Sequence, residues 1–305
     1  MPHPPGFVLG THQYGKAEVR LVRVTRDTSR HAIEDLSVTT QMRGAALDES
    51  YYSGDNSLVH ATDSQKNTIY AFAKRFGVRS PERFLLTLAS HFMDAFPQYD
   101  GCTLSAEQYG WSRITADGAP HDHSFVRTGG GTRTSVVQRD AATVHVLGGV
   151  TDLTVLKSAG SEFHGFPRTE HTTLGETADR VLATDVTARW RYVEAAADTS
   201  DFDDVHDRAV AALLEAFATV HSLALQQTLF AMGRAVLEAC PELAEVRLAM
   251  PNNHHFPVDL APFGLTNDNE VLFAADRPYG LINGSVVRDG EPAAPGAWVS
   301  VPGFL

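Results

Sequence analysis

Apolar and polar residues alternate in several short segments of the chain, which is the period of a half-buried β-strand. Leu36, Val38, Thr40 and Met42 follow this alternation between polar neighbours. Further strands are predicted at 18–25, 103–114, 135–147, 153–157, 186–192, 246–250, 271–274 and 281–287. These segments occur in both halves of the chain and indicate a protein with substantial β-structure.

Two pairs of segments instead repeat their apolar residues every three to four positions, as an amphipathic α-helix does. The first pair covers 63–73 and a segment that begins at Ser80, Pro81 and Glu82. A capping serine, a proline at the first helical position and an acid in the first turn favour a helix start there, and Pro97 ends that helix. The second pair is marked by Val210, Leu213, Leu214 and Phe217 and then by Leu225, Leu229, Met232 and Val236.

The elements follow the order strand-strand-helix-helix-strand-strand, and this order occurs twice. It predicts an α+β fold with tandem domains at 12–150 and 151–289, an arm at 1–11 and an irregular tail at 290–305. Each domain would be an antiparallel sheet with two helices on one face. Because such a sheet leaves its edges and second face to be covered, we expect an obligate oligomer in which sheets close into a barrel and active sites lie where subunits meet.

Composition excludes several classes of function. The chain has 305 residues, 43% of them hydrophobic, and a formal net charge of -12. An acidic chain is a poor candidate for binding nucleic acid or an anionic membrane, because both partners attract a basic surface. The two cysteines, Cys102 and Cys240, can form neither a disulfide framework nor a four-thiolate zinc site, and small buried side chains are the favoured interpretation.

The sequence favours a cytoplasmic protein. No apolar run reaches the ~20 residues that a membrane-spanning helix needs. The N-terminus lacks the basic and apolar regions of a signal peptide. Gly303, Phe304 and Leu305 do not form a peroxisomal Ser-Lys-Leu signal.

Two histidine pairs have simpler interpretations than a metal site. His121 and His123 would share one face of a strand, but residues 124–127 supply no carboxylate to complete a ligand set. A surface or hydrogen-bonded pair is favoured, with a supporting or interface role as the alternative. His254 and His255 are adjacent, so in an extended segment they point in opposite directions.

Known cofactor motifs are missing from the sequence. Residues 129–131 are three glycines between strand patterns, and since no helix follows, a hairpin loop is favoured over a phosphate-binding loop. The chain contains neither a Walker sequence, nor a dinucleotide fingerprint, nor a nucleophile elbow. Any chemistry must therefore come from side chains and the substrate.

A set of short motifs points to one family. In chain order they are 14–16 (Tyr-Gly-Lys), 56–64 (Asn-Ser-Leu-Val-His-Ala-Thr-Asp-Ser), 66–70 (Lys-Asn-Thr-Ile-Tyr), 153–158 (Leu-Thr-Val-Leu-Lys-Ser), 162–166 (Glu-Phe-His-Gly-Phe), 179–186 (Asp-Arg-Val-Leu-Ala-Thr-Asp-Val), 225–228 (Leu-Gln-Gln-Thr) and 251–254 (Pro-Asn-Asn-His). Each motif alone is weak, but the ordered set is specific. Across roughly residues 12 to 289 the chain resembles urate oxidase.

The resemblance implies a fold, a reaction and an assembly. The family has the tunnelling fold (T-fold), with two tandem domains per chain and a homotetramer built around a β-barrel tunnel. It oxidises urate with O2 and water to 5-hydroxyisourate and hydrogen peroxide, in purine catabolism. The family needs no metal and no organic cofactor.

The resemblance also assigns a substrate clamp. Phe163 matches the residue on which the flat purine stacks, and Arg180 can donate two parallel hydrogen bonds to an anionic edge. Gln226 offers a donor and an acceptor to the opposite edge, next to the backbone amide of Leu225. Without the motif match, these residues would be interpreted as a core phenylalanine, a surface arginine and a solvated glutamine.

A proton relay and an oxygen site complete the resemblance. Lys16, Thr62 and His254 match the relay, and an ordinary lysine pKa near ~10.4 would have to be lowered for Lys16 to act as a base. Thr62 and Asn252 match the polar pair that holds O2, peroxide or water above the ring. Asp63 would contact the substrate through its backbone amide, and its side chain would cap the helix. In the family, the threonine and aspartate belong to a neighbouring subunit.

Two other functions remain open at this stage. The first is a different tunnelling-fold enzyme acting on a pterin or purine, such as a cyclohydrolase, which would anchor its heterocycle with a glutamate and in some cases use zinc. Arg180 and Gln226 stand at the expected anchor positions here, and two cysteines are few for zinc. The second is a purine-binding protein without catalytic activity. The presence of all three relay residues, Lys16, Thr62 and His254, argues against it.

Overall fold

The computed structural model describes residues 6–299 and 301. Twelve strands lie within these residues: β1 (Tyr14–Thr25), β2 (Ala32–Arg43), β3 (Gly101–Gln108), β4 (Trp111–Ala116), β5 (Ala119–Arg127), β6 (Thr132–Asp140), β7 (Val144–Lys157), β8 (Leu182–Tyr192), β9 (Leu243–Ala249), β10 (Asn252–Pro257), β11 (Leu272–Gly280) and β12 (Asn283–Val287). The α-helices of the same residues are α1 (Asp48–Tyr52), α2 (Thr62–Phe76), α3 (Pro81–Ala95), α4 (Phe202–Thr219) and α5 (Leu225–Ala239). Parts of the predicted arm and tail, including 303–305, lie outside the described residues.

The chain divides into two compact units, each built from more than one segment. The first unit extends to Gly149 and also takes Arg191–Asp203 and a segment that begins at Ala293. The second takes Val150–Trp190 and Asp204–Pro292. The domain bounds at 12–150 and 151–289 stay a prediction.

The first unit is an antiparallel sheet covered by two helices. β1 pairs with β2, β2 with β3 and β3 with β6, while α2 packs on β1 and α3 packs on β3 and β6. Ser80 caps α3 by accepting a hydrogen bond from the Arg83 amide at 3.3 Å, as the sequence predicts. Apolar residues of α3 and of the strands form the buried core, among them Leu36, Val38, Leu85, Leu88, Phe92 and Leu104.

The second unit repeats this arrangement. β10 pairs with β8 and β11, β9 pairs with β12, and α5 packs on β9 and β12. Gly233 of α5 permits the close packing, because a Cβ atom there would lie 2.6 Å from Cγ2 of Val286. The predicted α+β class, with antiparallel strands and a helix pair in each unit, is confirmed.

Several strand boundaries differ from the prediction. β1 begins at Tyr14 rather than at residue 18, so Lys16 lies within the strand instead of preceding it. β7 is one strand, although Gly148 and Gly149 indicate a break there. The sequence does not predict β10, because its run of asparagine and histidine residues shows no apolar alternation.

The hairpin of β4 and β5 also differs from the prediction. The single strand predicted at 103–114 is two strands, and β4 pairs with β5 in a separate two-stranded sheet. Trp111 and Val126 of this hairpin are exposed, so its apolar residues do not form one buried face. Residues 129–131 connect β5 to β6, which pair with different strands, so the prediction of a hairpin loop there is wrong.

The α-helices differ from membrane-spanning segments. In the part of the chain that the structure describes, none is long and apolar enough to cross a membrane.

Candidate active site

One cavity in the second unit brings together most of the predicted site residues. Its volume is about 540 Å³. The predicted residues that line it are Phe163, Arg180, Leu225, Gln226, Asn252 and His254. They come from a loop, from the start of α5 and from β10, so the fold brings together residues as far apart in sequence as Phe163 and His254.

Phe163 lies in a loop that is fixed by backbone hydrogen bonds. Its amide donates to the Thr177 carbonyl at 2.8 Å and its carbonyl accepts from the Thr177 amide at 3.1 Å. The ring stacks on Phe166, with 4.9 Å between centroids and 14° between planes. The stacked contact with Phe166 restricts the orientation of the Phe163 ring, which suits a platform for a flat ligand.

Arg180 is held beside that platform. Its Nε donates to the hydroxyl of the fully buried Ser161 at 3.2 Å, and its amide donates to the Ser161 carbonyl at 2.9 Å. The guanidinium carbon lies 5.2 Å from the centroid of the Phe163 ring. Partial burial lowers the Arg180 pKa, but from so high a value that the group keeps its positive charge. The cavity therefore combines an aromatic surface with a fixed cation.

The start of α5 forms another wall. The segment before Phe163 pairs with Ser222, whose amide donates to the Gly160 carbonyl at 2.9 Å, and this ties the platform loop to the helix start. Ala224 is the N-cap and gives no side-chain cap. Leu225 is buried and Gln226 is exposed at the cavity. Because the first N–H groups of a helix lack partners within it, this end favours an anionic ligand.

β10 supplies Asn252 and His254. Asn252 pairs with Thr184 of β8 and Gly280 of β11. The His254 ring stacks on Phe256, with centroids 5.6 Å apart. Burial lowers the His254 pKa, and the positive charge of Arg180 lowers it further. His254 is therefore favoured in its neutral form next to a permanent cation.

The other predicted residues, Lys16, Thr62 and Asp63, lie in the first unit. Lys16 is half-buried in β1, and Thr62 is the first residue of α2. Asp63 is exposed and contacts Lys66 and Asn67. The predicted capping role of Asp63 is wrong, because Ala61 is the N-cap and the helix start has no side-chain cap.

Lys16 and the start of α2 belong to one local cluster. The Tyr14 hydroxyl, two residues before Lys16, donates to the His60 carbonyl at 3.2 Å. Lys66 lowers the pKa of Asp63 most strongly, and the charge of Lys16 adds to the effect. Both observations show that the part of β1 around Lys16 lies next to the turn that leads to Thr62.

Sequence reasoning did not identify several residues of the site. Thr177, Asp179, Val181 and His255 also line the cavity, and Ser161 fixes Arg180 without being part of any quoted motif. Asp179 and Val181 flank Arg180 inside one motif, and this proximity could have indicated that they line the cavity. Ser161 gives no such signal, since a serine in a loop is common in any protein.

The remaining polar clusters form no metal centre among the described residues. No group of three His, Cys, Asp or Glu there could hold a metal ion. His121 and His123 lie on β5 with ring centroids 4.5 Å apart at 87°. Cys102 and Cys240 are buried and unpaired with each other, and burial raises the pKa of each to about 11.

Together these features define a class. Antiparallel sheets with a helix pair in each unit are features of a tunnelling-fold protein, and its cavity joins an aromatic ring to a fixed guanidinium. A family model described as Uricase matches residues 12–138 and 146–283. The chain belongs to the uricase family.

Individual relatives agree with this assignment. A uricase of Arthrobacter globiformis is 52% identical over 97% of this chain and 95% of its own length. A uricase of Cyberlindnera jadinii is 36% identical over 92% of this chain and 97% of its own length. The crystal structure of the Arthrobacter globiformis uricase superposes with a TM-score of 0.91, covering 96% of this chain and 99% of that one. This match confirms the predicted tunnelling fold.

Proposed function

We propose that this chain is a urate oxidase that acts in purine catabolism. It converts urate, O2 and water into 5-hydroxyisourate and hydrogen peroxide without a metal or an organic cofactor. Membership of the uricase family supports the reaction. The observation that carries the proposal is the cavity that Phe163, Arg180, Gln226 and His254 line together.

The cavity suits a planar purine anion. The ligand stacks on Phe163, and such stacking contributes ~0.5–1.5 kcal/mol beyond burial. Nε of Arg180 already donates to Ser161, and the guanidinium has further N–H donors. With these, Arg180 donates two parallel hydrogen bonds to one anionic edge of the ligand. Gln226 matches the opposite edge with one donor and one acceptor, and the Leu225 amide adds a further donor.

The chemistry requires an electron-rich substrate near O2. O2 is a triplet and reacts slowly with closed-shell molecules, but a urate dianion can transfer one electron at a time. Lys16, Thr62 and His254 remove and carry the proton that leaves urate. Thr62 and Asn252 hold O2, then peroxide, then the attacking water above the ring. Asp63 contacts the substrate through its backbone amide.

The site is assembled from two subunits of a homotetramer. The cavity residues belong to the second unit of the chain, whereas Lys16, Thr62 and Asp63 belong to the first. In the proposal, the first unit of a neighbouring copy supplies these three residues, the T-fold domains span 12–150 and 151–289, and sheets of the subunits close a barrel. The assembled enzyme works in the cytoplasm.

The reaction can be tested directly. Purified protein, treated with a chelator in metal-free buffer, is expected to remove the near-ultraviolet absorbance of urate and to release peroxide. Chelated protein that leaves urate unchanged would contradict the proposal. Bound zinc together with GTP turnover would favour a cyclohydrolase instead.

The shared site can be tested by mixing two inactive variants. Copies with Lys16→Met are co-expressed with copies carrying Arg180→Gln, so that some sites combine wild-type residues from both. Activity is expected to return in the mixed oligomer and not in either variant alone. Mixed oligomers without activity would contradict an interfacial site.

A further inference from the structure

A chain of buried polar side chains crosses the apolar core of the first unit. Thr40 lies on β2 and Gln65 lies in the first turn of α2, and both are fully buried. The Lys16 amide donates to the Thr40 hydroxyl at 3.2 Å. That hydroxyl donates in turn to Oε1 of Gln65 at 2.7 Å. A buried hydrogen bond of this length is strong, because no water competes for either group.

Gln65 continues the chain to the residues before Thr62. Its Nε2 donates to the His60 carbonyl at 3.2 Å, and its backbone amide donates to the Ala61 carbonyl at 3.1 Å. The side-chain amide of Gln65 thus accepts a hydrogen bond from β2 through its oxygen and donates one toward the start of α2 through its nitrogen. One continuous set of hydrogen bonds connects the backbone at Lys16 to the two residues that precede Thr62.

Strand pairing places Lys16 opposite Thr40 at the point where the regular register of β1 and β2 ends. The register of β1 and β2 shifts between Lys16 and Val19, and Glu18 adopts the left-handed region with φ of 54°. Such a bulge removes ladder hydrogen bonds and changes the direction of the strand. The Thr40 hydroxyl therefore holds the Lys16 amide at the edge of this irregularity.

The mechanism proposed above gives no role to Thr40 or Gln65, although it depends on the separation of Lys16 and Thr62. We propose that Thr40 and Gln65 are positioning residues that hold Lys16 at a fixed distance from Thr62 for proton transfer. This inference rests on the proposed function. Neither residue touches the substrate, so their effect is on turnover rather than on binding.

The fold has a second connection that survives the loss of the first. The Tyr14 hydroxyl donates to the same His60 carbonyl and lies 2.8 Å from the Tyr99 hydroxyl. Thr40→Val therefore leaves the turn before α2 attached to β1 while it removes the bond at Lys16. The variant is expected to fold and to lose the hydrogen bonds that Thr40 makes with Lys16 and Gln65.

The test compares kcat and KM of three variants with those of the wild type. Thr40→Val should lower kcat about 10–100-fold with a KM close to that of the wild type, because small misplacements in a reacting pair are costly. Thr40→Ser restores the hydroxyl and should recover kcat to within about threefold. Thr134→Val is the matched control, since Thr134 is a buried strand threonine whose hydroxyl has no hydrogen-bond partner among the described residues.

Each result decides the inference. A kcat of Thr40→Val within about twofold of the wild type, or a loss equal to that of Thr134→Val, would overturn it. If Thr40→Val is insoluble, Thr40→Ala is measured under the same two criteria. The proposed function fails separately, when the wild type itself does not consume urate.

Discussion

Ser161 accepts two hydrogen bonds from Arg180, one from the backbone amide and one from Nε of the guanidinium. Ser161 is fully buried, whereas the guanidinium extends to the cavity. A guanidinium fixed at one nitrogen is oriented before a ligand arrives. This reduces the conformational entropy that binding would otherwise cost.

Ser161→Ala is therefore expected to weaken substrate binding. Arg180 loses the acceptor at Nε, which corresponds to ~1 kcal/mol and raises KM about fivefold with a smaller change in kcat. Steady-state kinetics with urate measure both constants. Ser135→Ala serves as a control, because Ser135 is equally buried and its hydroxyl has no partner among the described residues. An unchanged KM in Ser161→Ala would show that this contact does not orient Arg180 for binding.

Lys16→Met is expected to separate turnover from binding. The change keeps the apolar part of the side chain and removes the proton carrier, so turnover should fall by roughly 10²–10⁴-fold. Calorimetry with a purine inhibitor such as 8-azaxanthine should give nearly wild-type affinity. Lys74→Met, at an exposed position in α2, should change neither quantity. Equal losses of turnover and affinity in Lys16→Met would contradict its place in the relay.

The titration of His254 should respond to Arg180. Burial and the neighbouring guanidinium both lower the His254 pKa, so the neutral ring persists to lower pH than in an ordinary histidine. Arg180→Gln removes one of these causes and is expected to raise the pKa, although not to its ordinary value, because burial remains. NMR titration of the ring protons measures the change. Arg168→Gln, at an exposed position, should leave the titration unaltered, and an equal shift in both variants would disprove the electrostatic link.

Glu82 should make stability depend on pH. Burial raises the Glu82 pKa from 4.5 to about 7, against the opposing effect of Arg133, whose guanidinium lies 2.7 Å away. The folded state then binds a proton more firmly than the unfolded state, so the contribution is present below pH 4.5 and is lost as pH rises through about 7. Glu82→Gln lacks this titration and should gain stability relative to the wild type across that window.

Denaturant unfolding at several pH values checks the Glu82 prediction. Asp94→Asn on the same helix is the control, because the Asp94 side chain is exposed and its ion pair with Arg139 contributes little to stability. The prediction is wrong if the difference between Glu82→Gln and the wild type is constant with pH.

The sequence predicts the fold best where one face of an element is buried. The alternation at 36–42 and the start of α3 at Ser80 both correspond to the structure, because burial and capping act locally there. β4, β5 and β10 lack a buried apolar face, so periodicity misses or merges them. The glycines within β7 indicate a turn, but strand pairing overrides this local preference.

The residues of the site also fall into a group that the sequence predicts and a group that it does not. Residues inside recognisable motifs, such as Arg180 and Gln226, were predicted and line one cavity. The residues that hold them in place were not predicted. Ser161, Thr40 and Gln65 act through contacts that span from 19 to 25 positions. A single sequence carries no signal of such contacts, since each residue is ordinary in its own local context.

The exchange of segments between the two units has a consequence for protein engineering. The boundary at Gly149 lies inside β7, and the first unit depends on residues beyond it, since Arg133 donates to the Phe202 carbonyl at 3.1 Å and pairs with Asp203. Division of the chain at its midpoint would therefore interrupt β7. It would also separate Arg133 from Phe202 and Asp203. New termini or inserted tags belong in exposed connections such as 128–130. A twofold pattern of elements does not by itself mark where a polypeptide can be divided.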